Sequence, residues 1–199
     1  MKKIKTTDLL ETLKADSRQI ILQTNYLFRE DPETLQKQPE EGKWSVAQVI
    51  EHLNSYGRYY LPLIEVSVSA PKFPPNEFYK AGWLGDYFTN TMKPKNNGQI
   101  TNKMQAPKNH RPSRDLNNDV VLKEFLRQEH LLLDLLDRAE KVNLEKNRIP
   151  ISISRFIKLQ LGDTFRFLIA HHQRHFVQVN NTLKGVKQIQ SDALRLHGV

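Results

Sequence analysis

Four stretches of this 199-residue chain repeat apolar side chains near the period of an α-helix, about 3.6 residues. Stripes of that kind are stable when buried against one another, which narrows the folds open to the chain. The first stretch, residues 7–28, carries Leu9, Leu10, Leu13, Ile20, Ile21 and Leu27. The second opens at "KWSVAQVIEHL", where Ser45 and Gln48 have capping-box spacing and Trp44 is placed to pack on Val49 as a hydrophobic staple. Val46, Val49, Ile50, Leu53, Tyr60 and Ile64 mark its buried side, and Pro71 ends it at the latest. The third covers residues 119–139. The fourth, residues 154–183, is interrupted by Gly162 and keeps Leu161, Phe165, Leu168, Ile169, Phe176, Val179 and Leu183 in step.

Between the second and third lies a long irregular connection, residues 71–117, with a short helix or docked turn expected around "EFYKAGWLGDYF". Phe78, Trp83, Tyr87 and Phe88 are available to pin it across one end of the molecule. No internal repeat and no strand pair stands out. The expected architecture is all-α: an antiparallel four-helix bundle with one long crossover loop, in a single domain over residues 1–199.

Several function classes fall away at once. There is no cysteine, so disulfides, thiolate zinc sites, iron–sulfur clusters and a cysteine nucleophile are excluded, and any metal must be held by His, Asp or Glu. No apolar run approaches the roughly 18 residues of a membrane span, and the start "MKKIKTTDLLETLKADS" turns polar too early for a secretory signal. A soluble, cytoplasmic protein without membrane partners is expected.

The formal charge is +8, and most of the excess falls between Asp86 and Asp115, where Lys93, Lys95, Lys103, Lys108, Arg111 and Arg114 meet no acidic residue. That segment lacks the aromatic interleaving of a single-strand binder and sits on no recognition helix, which argues against nucleic acid. It reads first as a solvated loop, and second as a surface that attracts an anionic small molecule.

The chemistry-bearing feature is "AHHQRHFVQV", residues 170–179, with three histidines in five positions. At about 100° per residue, His172 falls near the middle of the fourth helix's apolar arc, His175 at its flank and His171 at the boundary. His52 lies at the edge of the second helix's arc, displaced in the same sense as His171. Both the i,i+4 pair His171–His175 and the i,i+3 pair His172–His175 could bring two imidazoles to one ion, and the wheel leaves that choice open. Imidazole suits Zn, Ni and Fe(II) alike.

The two motifs occur together, and together they resemble the signature of the DinB-like superfamily of four-helix-bundle metalloproteins. There a helix opens with Trp-Ser/Thr and places a histidine followed by Leu or Ile eight residues after the Trp; a later helix carries H-x-x-x-H. Trp44, Ser45, Gln48, His52 and Leu53 match the first part, and His171, His175 and Gln178 the second, with Arg174 before the last histidine. The resemblance implies that His52, His171 and His175 are the metal ligands, that His172 is a non-ligand facing the core or a neighbouring helix, and that family members are frequently dimers.

Three neutral imidazoles leave positions open for water, the arrangement of a reactive site. The resemblance implies thiol-dependent transfer or metal-dependent hydrolysis on a small molecule, with any low-molecular-weight thiol arriving as cosubstrate. The alternative is a non-catalytic binding or dimerisation module with a structural or vestigial metal. Gln178, one turn beyond His175, and Glu129 on the third helix are the candidates for supporting the ligands, although surface placement is expected for Glu129 and His130. Glu51 precedes His52 but points elsewhere, and Arg174 falls on the polar side. His110 and His197 are expected in solvent.

Overall fold

The computed structural model describes residues 2–95, 100 and 104–197, the last five as backbone alone. It is mostly helical, as the periodicity requires. Helix α1 spans Thr6–Leu27. A single turn and a half, α2 (Pro32–Gln36), follows in the segment rich in turn formers, started by the Asp31 carboxylate accepting from Thr34 N at 3.0 Å and by proline at the first helical position. Helix α3 spans Val46–Ser69, and its capping box is formed: Ser45 Oγ accepts from Gln48 N at 3.3 Å, and Gln48 Oε1 accepts from Ser45 N at 3.0 Å. The indole of Trp44 lies against the His52 ring, with centroids 5.1 Å apart.

Helix α4 (Trp83–Met92) realises the short helix expected inside the connection, and α5 (Asn118–Arg138) is started by Asn117, whose side chain accepts from Val120 N at 3.1 Å. The last helix, α6, runs Leu161–His197. Helices α1 and α3 each pack on both α5 and α6. Ile50, Leu53, Ile64, Phe125, Leu132, Leu135, Phe165 and Leu168 meet in one hydrophobic core. Each such side chain contributes about 1.5–3 kcal/mol of transfer free energy.

Two antiparallel strand pairs contradict the expectation of none. Strand β1 (Ile4–Lys5) pairs with β2 (Phe78–Tyr79), and β3 (Arg148–Ile151) pairs with β4 (Ser154–Gln160). Strand β4 occupies the expected start of the fourth helix, residues 154–160, so that helix begins at Leu161 and extends past Leu183. Ile149 and Ile151 turn inward at period two on β3 and Leu159 is buried opposite Ile149, while Phe156 is 98% exposed. Over so few residues, apolar spacing does not separate a strand from a helix. Gly162 sits in the first turn of α6, where an added Cβ would come 2.5 Å from the Tyr79 ring. The glycine admits the crossover rather than interrupting the helix.

The crossover is fastened by polar contacts more than by the aromatic residues expected to pin it. Tyr79 is buried, and its hydroxyl donates to Asp163 Oδ1 at 2.5 Å, while Gly82 N donates to the other carboxylate oxygen at 2.9 Å. Arg166 bridges Asp86 at 2.7 Å and Asp163 at 3.1 Å, tying α4 to α6. Phe78, Trp83 and Tyr87 are exposed; Phe88 packs, with its ring 6.3 Å from Phe167. Among the described residues no helix is long and apolar enough to cross a membrane.

Candidate metal centre

Successive residues of a helix point about 100° apart, so of two adjacent histidines only one can face a given neighbour. On α6, His171 and His175 turn toward α3 and His172 turns toward α5. The structure brings His52, His171 and His175 together: the nitrogens they offer all lie within 4.8 Å of one another. His52 Nε2 stands 3.3 Å from His171 Nε2, and the ring centroids of His175 are 4.6 Å from His52 and 4.5 Å from His171. His52 is 3% exposed and His171 2%, while His175 is half-buried.

The outer nitrogens decide which inner ones are bare. His52 Nδ1 donates to the main-chain carbonyl of His110 at 2.7 Å, and His175 Nδ1 donates to Gln178 Oε1 at 2.9 Å. A carbonyl only accepts, so each Nδ1 carries the hydrogen and each Nε2 presents a lone pair to the centre. His171 Nδ1 is buried without a hydrogen-bond partner among the described residues. Burial, the largest cause, pushes His52 down to about 4, opposed in part by the His110 carbonyl. Burial likewise holds His171 and His175 well below the ordinary histidine range, reinforced by His175 on the former and by His52 on the latter.

Neutral rings with converging lone pairs suit a cation. With Zn–N bonds of about 2.0–2.1 Å, the edge of a tetrahedron is about 3.3–3.4 Å, and the separation of the two Nε2 atoms matches it. The three-histidine group could therefore hold a metal ion.

The motif residues acquire individual physical roles. Ser45 and Gln48 start the helix that carries His52, and Trp44 backs its ring. Gln178 Oε1 lies 2.9 Å from His175 Nδ1. Tyr56 and Phe167 were missed by sequence reasoning. Tyr56 lies 4.3 Å from His171 and 5.1 Å from His52 between ring centroids, and burial pushes its phenol up to about 12. Phe167 stacks on His171 at 5.8 Å. Their signal was available: each stands one helical turn from a histidine of the trio.

Other placements differ from expectation. Glu129, expected at the surface or beside the ligands, is 0% exposed, and its Oε1 lies 2.7 Å from His172 Nδ1. His130, one residue on, is exposed. Arg174 is buried rather than on an open polar side. His110, expected in solvent, is 4% exposed, because the crossover returns to α3 and inserts it beside Tyr56. No pattern in an irregular segment announces such a return. Glu51 points away from the trio and pairs with Arg58 at 2.8 Å. Lys93, Lys95, Lys108, Arg111 and Arg114 of the basic segment are exposed; Lys103 and the side chain of His197 lie outside the described residues.

No curated protein and no solved structure matches the chain. A family model described as the DinB superfamily matches residues 17–179, a span that contains both histidine motifs and most of the sequence. The chain belongs to the DinB superfamily.

Proposed function

We propose that this protein is a metal-dependent enzyme acting on a small molecule by thiol S-transfer or hydrolysis, with His52, His171 and His175 as the ligands of a Zn, Ni or Fe(II) ion. The observation that carries the reading is the convergence of three neutral imidazoles whose outer nitrogens, on His52 and His175, are each held by an oxygen acceptor. Such outer contacts orient metal-binding histidines and raise their basicity. A divalent ion held there supplies Lewis acidity, able to polarise a carbonyl or to activate water or a thiol at neutral pH.

The chain's own residues supply the rest. Tyr56, protonated at neutral pH, offers a hydroxyl donor rather than a base. Trp44, Tyr56 and Phe167 set aromatic walls around the imidazoles and keep the site poor in water. His175 is the least buried of the three, and the proposed approach of a substrate is from its side. A thiol, where used, comes as a low-molecular-weight cosubstrate, since the chain has no cysteine. The proposed frame is one domain, an antiparallel four-helix bundle with its long crossover, working in the cytoplasm as a monomer or homodimer without nucleic-acid or membrane partners.

A second reading, a structural or vestigial metal in a binding or dimerisation module, draws on the burial of His52 and His171. One experiment separates the two. Protein purified without a histidine tag is analysed for metals, then assayed with thiol and ester substrates before and after chelation. Turnover lost on chelation with little change in melting temperature supports the enzyme. A large fall in melting temperature without turnover supports the module, and failure to take up any transition metal ends both.

A further inference from the structure

Three polar residues of α3 hold the crossover along one stripe. Gln48, His52 and Ser55 are spaced four and three residues apart and so share a face. Gln48 Nε2 donates to the Ser113 carbonyl at 3.2 Å, and His52 Nδ1 donates to the His110 carbonyl at 2.7 Å. Ser55 Oγ lies 2.9 Å from His110 Nδ1. That hydroxyl donates to the His52 carbonyl at 2.6 Å, so it accepts from His110, whose Nδ1 carries the hydrogen.

His110 is held from other directions too. Its ring stacks on Tyr56, with centroids 3.9 Å apart and planes 27° apart. Its backbone closes a 3₁₀ turn, Lys108–His110, with His110 N donating to Pro107 O at 2.9 Å, and Arg111 Nε donates to Ala106 O at 3.1 Å. The burial leaves His110 Nε2 without a hydrogen-bond partner among the described residues, an arrangement that opposes folding. What it achieves is one carbonyl fixed on one histidine nitrogen.

We propose that His110 is a positioning residue of the metal centre: its side chain, anchored on Ser55 and Tyr56, fixes its own carbonyl against His52 Nδ1 and so holds His52 Nε2 toward His171 and His175. The inference rests on the metal reading for its consequence, but the His52 tautomer it sets is a property of the metal-free chain. A loop remote in sequence thereby completes a ligand on α3, and the crossover has a task that its basic composition does not suggest.

The test compares His110→Phe, which keeps a ring against Tyr56 but removes the donor to Ser55, with Ser55→Ala and Ser55→Thr, the last retaining the hydroxyl. Zinc affinity is measured by chelator competition, and the tautomer of His52 is read from imidazole ¹⁵N spectra of the metal-free proteins. The expected result is a 10–100-fold loss of affinity in His110→Phe and Ser55→Ala, recovery in Ser55→Thr, and a mixed His52 tautomer in the two impaired variants, with metal-free melting temperatures close to the parent's. Unchanged affinity and an unchanged tautomer overturn the proposal. If the parent binds no zinc but the tautomer still shifts, the metal reading fails and the positioning stands. Should His110→Phe not fold, the Ser55→Ala and Ser55→Thr pair decides alone.

Discussion

His172 Nδ1 lies 2.7 Å from Glu129 Oε1, and the other oxygen of that carboxylate accepts from Ser17 Oγ at 2.9 Å, so one buried polar network joins α1, α5 and α6. The ring of Phe125 stands 5.4 Å from His172, so the network is set among apolar side chains. Holding His172 toward α5 orients α6 about its own axis, and its neighbours His171 and His175 then face α3.

Glu129→Ala removes the shared partner of both His172 and Ser17. Leaving Ser17 Oγ without its acceptor in the core is expected to destabilise the fold by ~1–3 kcal/mol, measured by urea denaturation. A midpoint equal to the parent's would show that the network is dispensable.

Substituting His171 by alanine takes away the most buried imidazole of the trio. Bound transition metal, determined by elemental analysis, is expected to fall from about one ion per chain to near zero. Retention of a full equivalent would place the ion elsewhere.

Gln178→Ala deletes the acceptor of His175 Nδ1 without opening the core, because Gln178 is only half-buried. Metal affinity should drop ~10–100-fold while the melting temperature of the metal-free protein stays near the parent's. An unaltered dissociation constant would mean that water replaces the amide without loss.

Acid should weaken the metal-free fold as its buried histidines are forced to protonate. In the unfolded chain His52 protonates near its ordinary value of 6.5, whereas in the folded chain it stays neutral down to about 4. Stability is therefore full above pH 6.5 and declines as pH falls toward 4, by ~3 kcal/mol from His52 alone. His171 and His175, held down in the same direction, add to the loss. Denaturant midpoints of chelator-treated protein across that range measure it, and a flat profile would contradict the burial of neutral rings.

Ser45→Ala breaks the capping box at the start of the helix that carries His52. A loss of ~0.5–2 kcal/mol is expected, read from thermal unfolding. A loss well below that range would mean that Gln48, which also holds the Ser113 carbonyl, keeps the helix start by itself.

Much of this protein was legible in order along the chain. Helical period located α1, α3, α5 and most of α6, Ser45 and Gln48 announced the start of α3, and the one-turn spacing of His171 and His175 marked a candidate site. All of these are set by residues within a turn or two of each other, so sequence carries them directly. Helical spacing over residues 154–160 stands in fact for strand β4, because short apolar runs fit both forms. The return of His110 onto α3 and the burial of Glu129 against His172 depend on which helices become neighbours. So does the facing of His171 toward His52, which the helical wheel left open and only the resemblance implied. Residues far apart in sequence settle that through shared burial, and no local spacing records it.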